Sequence, residues 1–468
     1  MAYRDLRDFL ATLATLGELH RVAAEVSPEL ELAAITDRIC KEPGGGPALL
    51  FERVAGSDWP VATNLFGSPS RLAAALGVES LAELTPWLAA RLAGLPGDTS
   101  LARLAALAAS ADWQAAGPVI DPHPPCQEVA ETELTRWPLL KSWPNDGLPD
   151  HGGRFLTLPL VITRDPVTGE QNCGMYRAAL LGSDRLVIHW GEESGAAAHA
   201  RAWAARGEAM PVAIALGGDP AVTFAATLPL PASLDEFTFA GLLRSEPVSL
   251  ARCRSVDLLV PAGAELVIEG TVQPGEKAGS GAFGNHTGSS VPGVAMPVLR
   301  VTTITRRQQP IYPATVVGPP PMEDCWLARA AERLLLPLLQ LDLPLVREIH
   351  QPLAGIFHGA TLVAVTTASS GKGREILADL WATPWLARSR LLVLVDAEQD
   401  PAEVAGVYWR VLNHCDWSRD LVVRDGRLGI DASRKPSGAA GSAPQREPLQ
   451  MTAEIVRLVE RRWREYGF

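Results

Sequence analysis

A chain of 468 residues, 47% hydrophobic and 20% charged, carries enough apolar content for roughly two to four folded domains and is not predominantly disordered. Its formal net charge of -11, with no basic run to offset it, excludes a general nucleic-acid or anionic-membrane binder. Six widely spaced cysteines (Cys40, Cys126, Cys173, Cys253, Cys325, Cys415) form no Cys-x-x-Cys pair and exclude a thiolate zinc site, which fits reduced thiols in the cytoplasm.

The start, Met1 to Phe9, is too charged for a secretory signal. Leu6, Phe9, Leu10, Leu13 and Leu16 recur at helical spacing and predict a helix over 3–17, stopped by Gly17. Short strands are expected at 47–52 and 60–66, followed by Ala- and Leu-rich helical sequence from Ser70 to about Ala109. The proline-rich stretch 115–144 reads as a linker or extended wrap.

From there the composition is that of strands, at 155–163, 185–190, 211–216, 265–272 and 296–305. Few helices separate them, so a barrel-like β domain fits better than a doubly wound sheet. After Gly318-Pro-Pro-Pro321 the pattern alternates: helix near 324–339, strand 361–365, helix 374–385, strand 391–395, helix 403–413. A loop-like segment, 435–447, then precedes an amphipathic helix over 451–466 whose Ile455, Val456, Leu458 and Val459 need a partner surface. No segment is apolar for long enough to span a membrane as a helix; the Leu-rich run at 333–342 is short and contains Pro337.

Several short patterns carry chemistry. Gly279-Ser-Gly-Ala-Phe-Gly284 has the G-x-G-x-x-G spacing of dinucleotide sites, but Asn285-His-Thr-Gly288 follows where a helix must open, so it reads as a glycine-rich β-loop able to approach a ligand closely. Ser369 to Arg374 lies between a strand and a helix, a place where backbone amides can meet a phosphate, yet it lacks the upstream glycine of a Walker loop. Glu192, Glu193, His189, Asn172 and Glu236 offer hard oxygen and imidazole donors for magnesium or manganese without a spacing that selects a metal. Arg177 opens an apolar run, and a buried guanidinium needs a carboxylate or phosphate partner.

Read in order, these segments resemble the UbiD-type decarboxylases, a family that uses prenylated flavin mononucleotide. The similarity is carried by Tyr3 to Leu10 with Gly17-Glu-Leu19, by 46–52, Asn64 to Gly67, Pro138 to Pro144 and Asn172-Cys-Gly-Met-Tyr-Arg177. It continues through Pro231 to Gly241, Pro261 to Gly270, His286-Thr-Gly288 and Gly429 to Ser433. The resemblance implies a mixed α+β chain: an N-terminal α/β domain (1–114), a central split β-barrel holding the flavin (115–316), and a C-terminal α/β domain with an oligomerisation helix (317–468).

Carried over by position, it also implies a manganese or magnesium ion on Asn172, Glu193 and Glu236. Potassium would sit on backbone carbonyls near Ala225, Ala226 and Leu228. Flavin contacts would come from Met175, Tyr176, Arg177, His189, Trp190, Gly191, Ser194 and Gly195, with Arg374 at the phosphate. When bound, the prenylated flavin supplies an electron sink for loss of carbon dioxide from an aromatic, heteroaromatic or α,β-unsaturated acid. A flavin prenyltransferase would supply it. The assembly would be a homo-oligomer, dimer or hexamer, in the cytoplasm, with peripheral membrane association only for a polyprenylated substrate.

The chain departs from the family at three positions. Glu193 stands for the metal-binding histidine, Ser280 for the glutamate that pairs with the arginine, and Asn285 for the acidic proton donor. General acid–base catalysis is worth about 10²–10⁴-fold, so the last change matters most. One reading is a decarboxylase, or reversible carboxylase, with a relocated donor such as His286, Glu323, Asp324 or a water. A cofactor-binding subunit that does not decarboxylate and a prenylated-flavin enzyme of other chemistry are the alternatives. The catalytic residues implied are Arg177, Ser280, Asn285 and His286.

Overall fold

The first helix forms as its periodicity predicts, over Leu6–Thr15, with the Asp5 carboxylate accepting from the Arg7 and Asp8 amides to cap its free N–H groups. Leu6, Phe9, Leu10 and Leu13 are buried, whereas Leu16 falls on the C-cap and is exposed. The computed structural model describes residues 3–131, 133–148, 150, 152–356, 359–366, 372–435, 449 and 451–468. The loop-like segment expected at 435–447 lies almost wholly outside these residues, as do Ser369 to Gly371.

The chain divides into two compact units, Met1–Pro344 with Gln351–His358, and Leu345–His350 with Gly359–Phe468. In the first, strands Leu19–Val26, Ala48–Val54 and Val61–Thr63 pair with the distant Tyr312–Pro313 into a four-stranded mixed sheet. The Ala- and Leu-rich stretch is helical as expected, forming Pro69–Leu76, Leu84–Leu92 and Ser100–Ala108. The strand at Leu19–Val26 and the helix Glu31–Cys40 escape the sequence reading. Five of the eight residues of that strand are exposed, and the helix begins without a side-chain cap.

The larger layer is a nine-stranded sheet whose ladders are all antiparallel, which bears out the reading against a doubly wound fold. Its main path ends at Phe155–Leu156 on one side and Gln171–Met175 on the other, so the ladder does not close into a barrel among the described residues. Two long strands, Leu266–Gly279 and Ala295–Arg306, form its spine, with register shifts after Glu269 and between Val272 and Lys277. Such bulges bend a strand and re-aim its far end. Here the far end runs directly into Ser280 and the glycine-rich loop.

Three helices that the strand-rich composition hid are inserted along this sheet: Gly195–Ala205, Pro220–Ala225 and Glu236–Arg244. The stretch 115–144 is not a free linker. It supplies the sheet's side strand Val129–Glu131 and buries Trp137, Leu139 and Leu140 in the main core, with Trp137 against Trp59 at a centroid distance of 4.1 Å. The helix Glu323–Asp342 belongs to the first unit, although its sequence pattern suggested the start of the alternating C-terminal region.

The second unit is a five-stranded mixed sheet in the order Val346–His350, Ala360–Val365, Leu391–Asp396, Arg427–Asp431, Leu421–Arg424. Helices Gly373–Ala382 and Val404–His414 alternate with its strands as predicted, and Ala453–Arg462 is the terminal helix.

Candidate active site

The strand Gln171–Met175 carries the first half of the site, because it lies at the sheet edge and its backbone is reached from two helix starts. Glu236 is the first residue of its helix and only 8% exposed; its Oε2 accepts the Cys173 amide at 2.8 Å. Burial pushes the Glu236 carboxyl up to about 7, as expected of a desolvated acid facing no cation. From the other side comes Gly195, which opens the helix Gly195–Ala205. A side chain there would meet the Asn172 Oδ1 at 2.1 Å, so glycine lets the amide reach the helix N-terminus.

Tyr176 closes this cluster. Its pKa is raised chiefly by burial, and the Asn172 and Ser194 side chains and the Ala196 backbone, which lie near its hydroxyl, oppose that rise. Ser194 caps the helix by accepting the Ala197 amide at 3.2 Å. Helix N-termini of this kind present free N–H groups to anions such as phosphate. Trp190 is buried and meets the Tyr176 ring edge-on at 6.5 Å. Gly191 and Glu193 lie in the exposed turn ahead of the helix. The Met175 amide donates to the Ala226 carbonyl at 3.1 Å, while the Ala225 carbonyl accepts the Leu228 amide at 3.1 Å. Among the described residues no three His, Cys, Asp or Glu side chains converge on one point; the implied metal set has two carboxylates and an amide.

Arg177 begins the second half, in the gap between strands Gln171–Met175 and Ala178–Leu180. Its guanidinium stacks on the Phe283 ring at 4.1 Å, which brings it against the glycine-rich loop. Burial pulls its pKa down to about 10, and Asp146 is the charge that opposes this fall. The His189 amide donates to the Arg177 carbonyl at 3.0 Å. The His189 imidazole is held at about 4 by burial and by Arg177, so it is neutral at pH 7. Three buried polar atoms of this region, Asn172 Nδ2, Arg177 Nε and His189 Nδ1, have no hydrogen-bond partner in the protein. Buried polar atoms are normally paired, and three around one strand point to an external ligand with acceptor and donor groups.

The loop itself is built by backbone contact. Gly281 adopts φ +71°, and a side chain there would sit 2.1 Å from the Gly147 carbonyl carbon. The Gly147 amide in turn donates to the Ala282 carbonyl at 2.7 Å. Gly281→Ala is therefore expected to part the two loops: a fall of roughly 1–3 kcal/mol in urea-measured stability, with Trp143 fluorescence moving ahead of the global transition.

Two of the three expected departures, Ser280 and Asn285, have defined local contacts. Ser280 is 3% exposed and donates to the Gly281 carbonyl at 3.2 Å. Asn285 is a turn former: its Oδ1 accepts the Thr287 amide at 2.9 Å and the Thr287 hydroxyl at 2.6 Å. His286 is half-buried beside it. Glu323 is buried elsewhere, accepting the Phe66 amide at 2.7 Å, with its acid raised by burial. Asp324 is pushed up to about 7 by burial and by Glu323. Arg374 belongs to the second unit, where it donates to the Arg419 carbonyl at 3.0 Å.

The structure thus gathers Asn172, Tyr176, Ser194, Gly195 and Glu236 on one strand edge, and Arg177, His189 and Phe283 beside it. Sequence reasoning missed Asp146 and gave no site role to Trp143 and Phe283, though both lie in segments it singled out. The signal available for them was the Asp146-Gly147 pair followed by Gly152-Gly153, in a stretch read as a wrap.

This fold is shared with solved decarboxylases. The closed form of vanillic acid decarboxylase from Sedimentibacter hydroxybenzoicus matches with a TM-score of 0.85 at 24% identity, over 100% of this chain and 99% of that one. An evolved dimeric form of the UbiD-class enzyme HmfF from Pelotomaculum thermopropionicum, in complex with prFMN, matches with 0.79 at 28%, over 94% and 97%. Models of the 3-octaprenyl-4-hydroxybenzoate carboxy-lyase cover the N-terminal domain at residues 10–90, the Rift-related domain at 118–320 and the C-terminal domain at 325–440. An uncharacterized protein of Archaeoglobus fulgidus is 39% identical over 99% of both chains, and one of Aquifex aeolicus 35% over the same shares. The mixed α/β fold is that of UbiD-class enzymes. The chain belongs to the UbiD family, whose members are carboxy-lyases.

Proposed function

We propose that this chain is a prenylated-FMN-dependent decarboxylase, or reversible carboxylase, of an aromatic, heteroaromatic or α,β-unsaturated carboxylic acid. The observation that carries the reading is the set of unpartnered buried atoms, Asn172 Nδ2, Arg177 Nε and His189 Nδ1, around the strand on which Glu236 also closes. A flavin phosphate with its ion fits that donor set, because Asn172 and Glu236 supply oxygens and the helix at Gly195 supplies amides. Glu193, on the turn ahead of that helix, would complete the manganese or magnesium site, and carbonyls at 225–228 a potassium site. Prenylated FMN, when bound, supplies the electron sink for loss of carbon dioxide.

The chain's own residues do the rest. Arg177 binds and orients the acid's carboxylate, using a guanidinium that remains charged despite burial. Neutral His189 offers a ring N–H or acceptor without adding charge beside it. Tyr176 and Trp190, whose rings meet edge-on, would offer aromatic surface beside it. Proton return to the product carbon falls to His286, to an acid such as Asp324, or to water, since Asn285 is spent in its turn.

That commitment of Asn285 also favours a second reading, a cofactor-holding subunit that does not decarboxylate. The reading places the site in the split-barrel part of a three-part chain (1–114, 115–316, 317–468), acting as a cytoplasmic homo-oligomer. Among the described residues no helix is long and apolar enough to cross a membrane. Anaerobic co-production with a flavin prenyltransferase, then mass spectrometry of the released cofactor, tests the reading. Stoichiometric prenylated FMN and carbon dioxide release from a panel of unsaturated acids are expected. Bound cofactor without release from any acid supports the second reading, and an empty, folded protein overturns both.

A further inference from the structure

We propose that Asp146 is the carboxylate partner of Arg177 in this chain, a positioning residue that holds the guanidinium from the neighbouring loop where Ser280 and Asn285 carry no charge. The inference rests on the reading of the site given above and adds a residue to it.

The geometry is that of a built position. Asp146 is 4% exposed, and its Oδ1 accepts the Gly284 amide at 2.8 Å while Oδ2 accepts the Trp143 amide at 3.0 Å. Trp143 is itself fixed, its indole donating to the Val317 carbonyl at 2.8 Å, and its ring occupies the space a side chain on Gly284 or Gly318 would need. The Gly147 amide locks the loop to Ala282. Arg177 meets the same dipeptide, stacked on Phe283. Carboxylate and guanidinium are thus held at one dipeptide, Phe283-Gly284, the first by an amide and the second by a ring.

Among the described residues, Asp146 is the acid whose charge acts on the guanidinium. The groups acting on Arg177 are burial and Asp146, and those on Asp146 are burial, the Gly284, Trp143 and Ser142 amides, and Arg177. His189 also feels Arg177 and is neutral at pH 7. Burial of an arginine favours a nearby counter-charge, and Asp146 supplies one. Among the described residues the two groups form no hydrogen-bonded ion pair, which leaves guanidinium donors for the carboxylate of a bound acid.

The test uses the full chain without cofactor, so it is independent of whether the protein decarboxylates. Urea midpoints are measured for Asp146→Asn, Arg177→Gln and the double variant. Asp146→Asn is expected to lower the midpoint, and to lower it by less than half as much, or raise it, when Arg177 is already Gln. Equal shifts in the two backgrounds overturn the pairing and mark Asp146 as a loop clamp only.

The second readout survives a failure of Asp146→Asn to fold: carbon-13 NMR titration of the aspartate carboxyls, compared between wild type and Arg177→Gln. Loss of the guanidinium should move the Asp146 titration to higher pH by at least half a unit. An unmoved titration overturns the proposal. A chain that binds no prenylated FMN sinks the functional reading but leaves both of these measurements standing.

Discussion

Arg177→Met is expected to lower carbon dioxide release from a turned-over aromatic acid by about 10²–10³-fold, the cost of deleting one preorganised donor group at a reacting centre. The guanidinium is half-buried, stacked on Phe283, and its Nε has no partner within the protein. It therefore contributes little to the fold by hydrogen bonding and is available to a ligand. Methionine fills similar volume without charge, so the change should appear as weaker binding of the acid and slower turnover together, with cofactor content intact. Arg177→Lys should recover only part of the loss, because an ammonium cannot make the two parallel bonds a carboxylate receives from arginine. Steady-state kinetics with flavin quantified in each preparation check this. Unchanged kinetics in the loaded methionine variant would remove Arg177 from the reaction.

Glu236→Gln should separate stability from function. The carboxylate is buried, receives the Cys173 amide, and has its pKa pushed up to about 7 by burial. A glutamine Oε1 can accept the same amide without the desolvation cost of a charge, so the cofactor-free variant is expected to melt at the same temperature or a few degrees higher. Metal affinity should fall by at least about 100-fold, since even outer-shell partners of metal ligands are worth 10–100-fold. Prenylated FMN would then be lost on desalting. Calorimetry of the cofactor-free proteins, with metal and flavin analysis after loading, reads both halves. A destabilised variant that keeps its metal would make Glu236 a structural link between its helix and the Cys173 strand and nothing more.

The sequence was most legible where periodicity and local chemistry agreed. The first helix, five stretches of the antiparallel sheet, and in the second unit the strands Ala360–Val365 and Leu391–Asp396 with their helices were predicted, most within a few residues, since their apolar spacing is strong; Gln171–Met175, Ala178–Leu180 and the second unit's other three strands were not. It was least legible where burial came from distant partners. Leu19–Val26 shows no alternating pattern, because its ladder to Ala48–Val54 and not its side chains keeps it in the sheet. The strand at 155–163 breaks in two at Leu158-Pro159, and the fragments pair with different neighbours.

The site divides in the same way. Asn172 to Arg177 and Glu236 could be named from resemblance, and the structure does bring Asn172, Tyr176 and Glu236 to one strand edge. Asp146 could not, because its place follows from a loop–loop contact spanning 138 positions. Nor could the turn that occupies Asn285, whose partner Thr287 matters only once the chain doubles back.

The contact between Gly147, Gly153, Gly281 and Gly293 has a consequence for how this sequence can drift. A methyl group at any of the four would come within 2.3 Å of backbone belonging to another of them or its neighbour. None can be relieved by moving a side chain, because there is none to move. The four positions should therefore tolerate a side chain only together with backbone rearrangement of the others, at the risk of the loop that carries Asp146. Variants selected for new substrates should accordingly accumulate changes at Tyr176, Trp190 and Phe283, and leave this seam untouched.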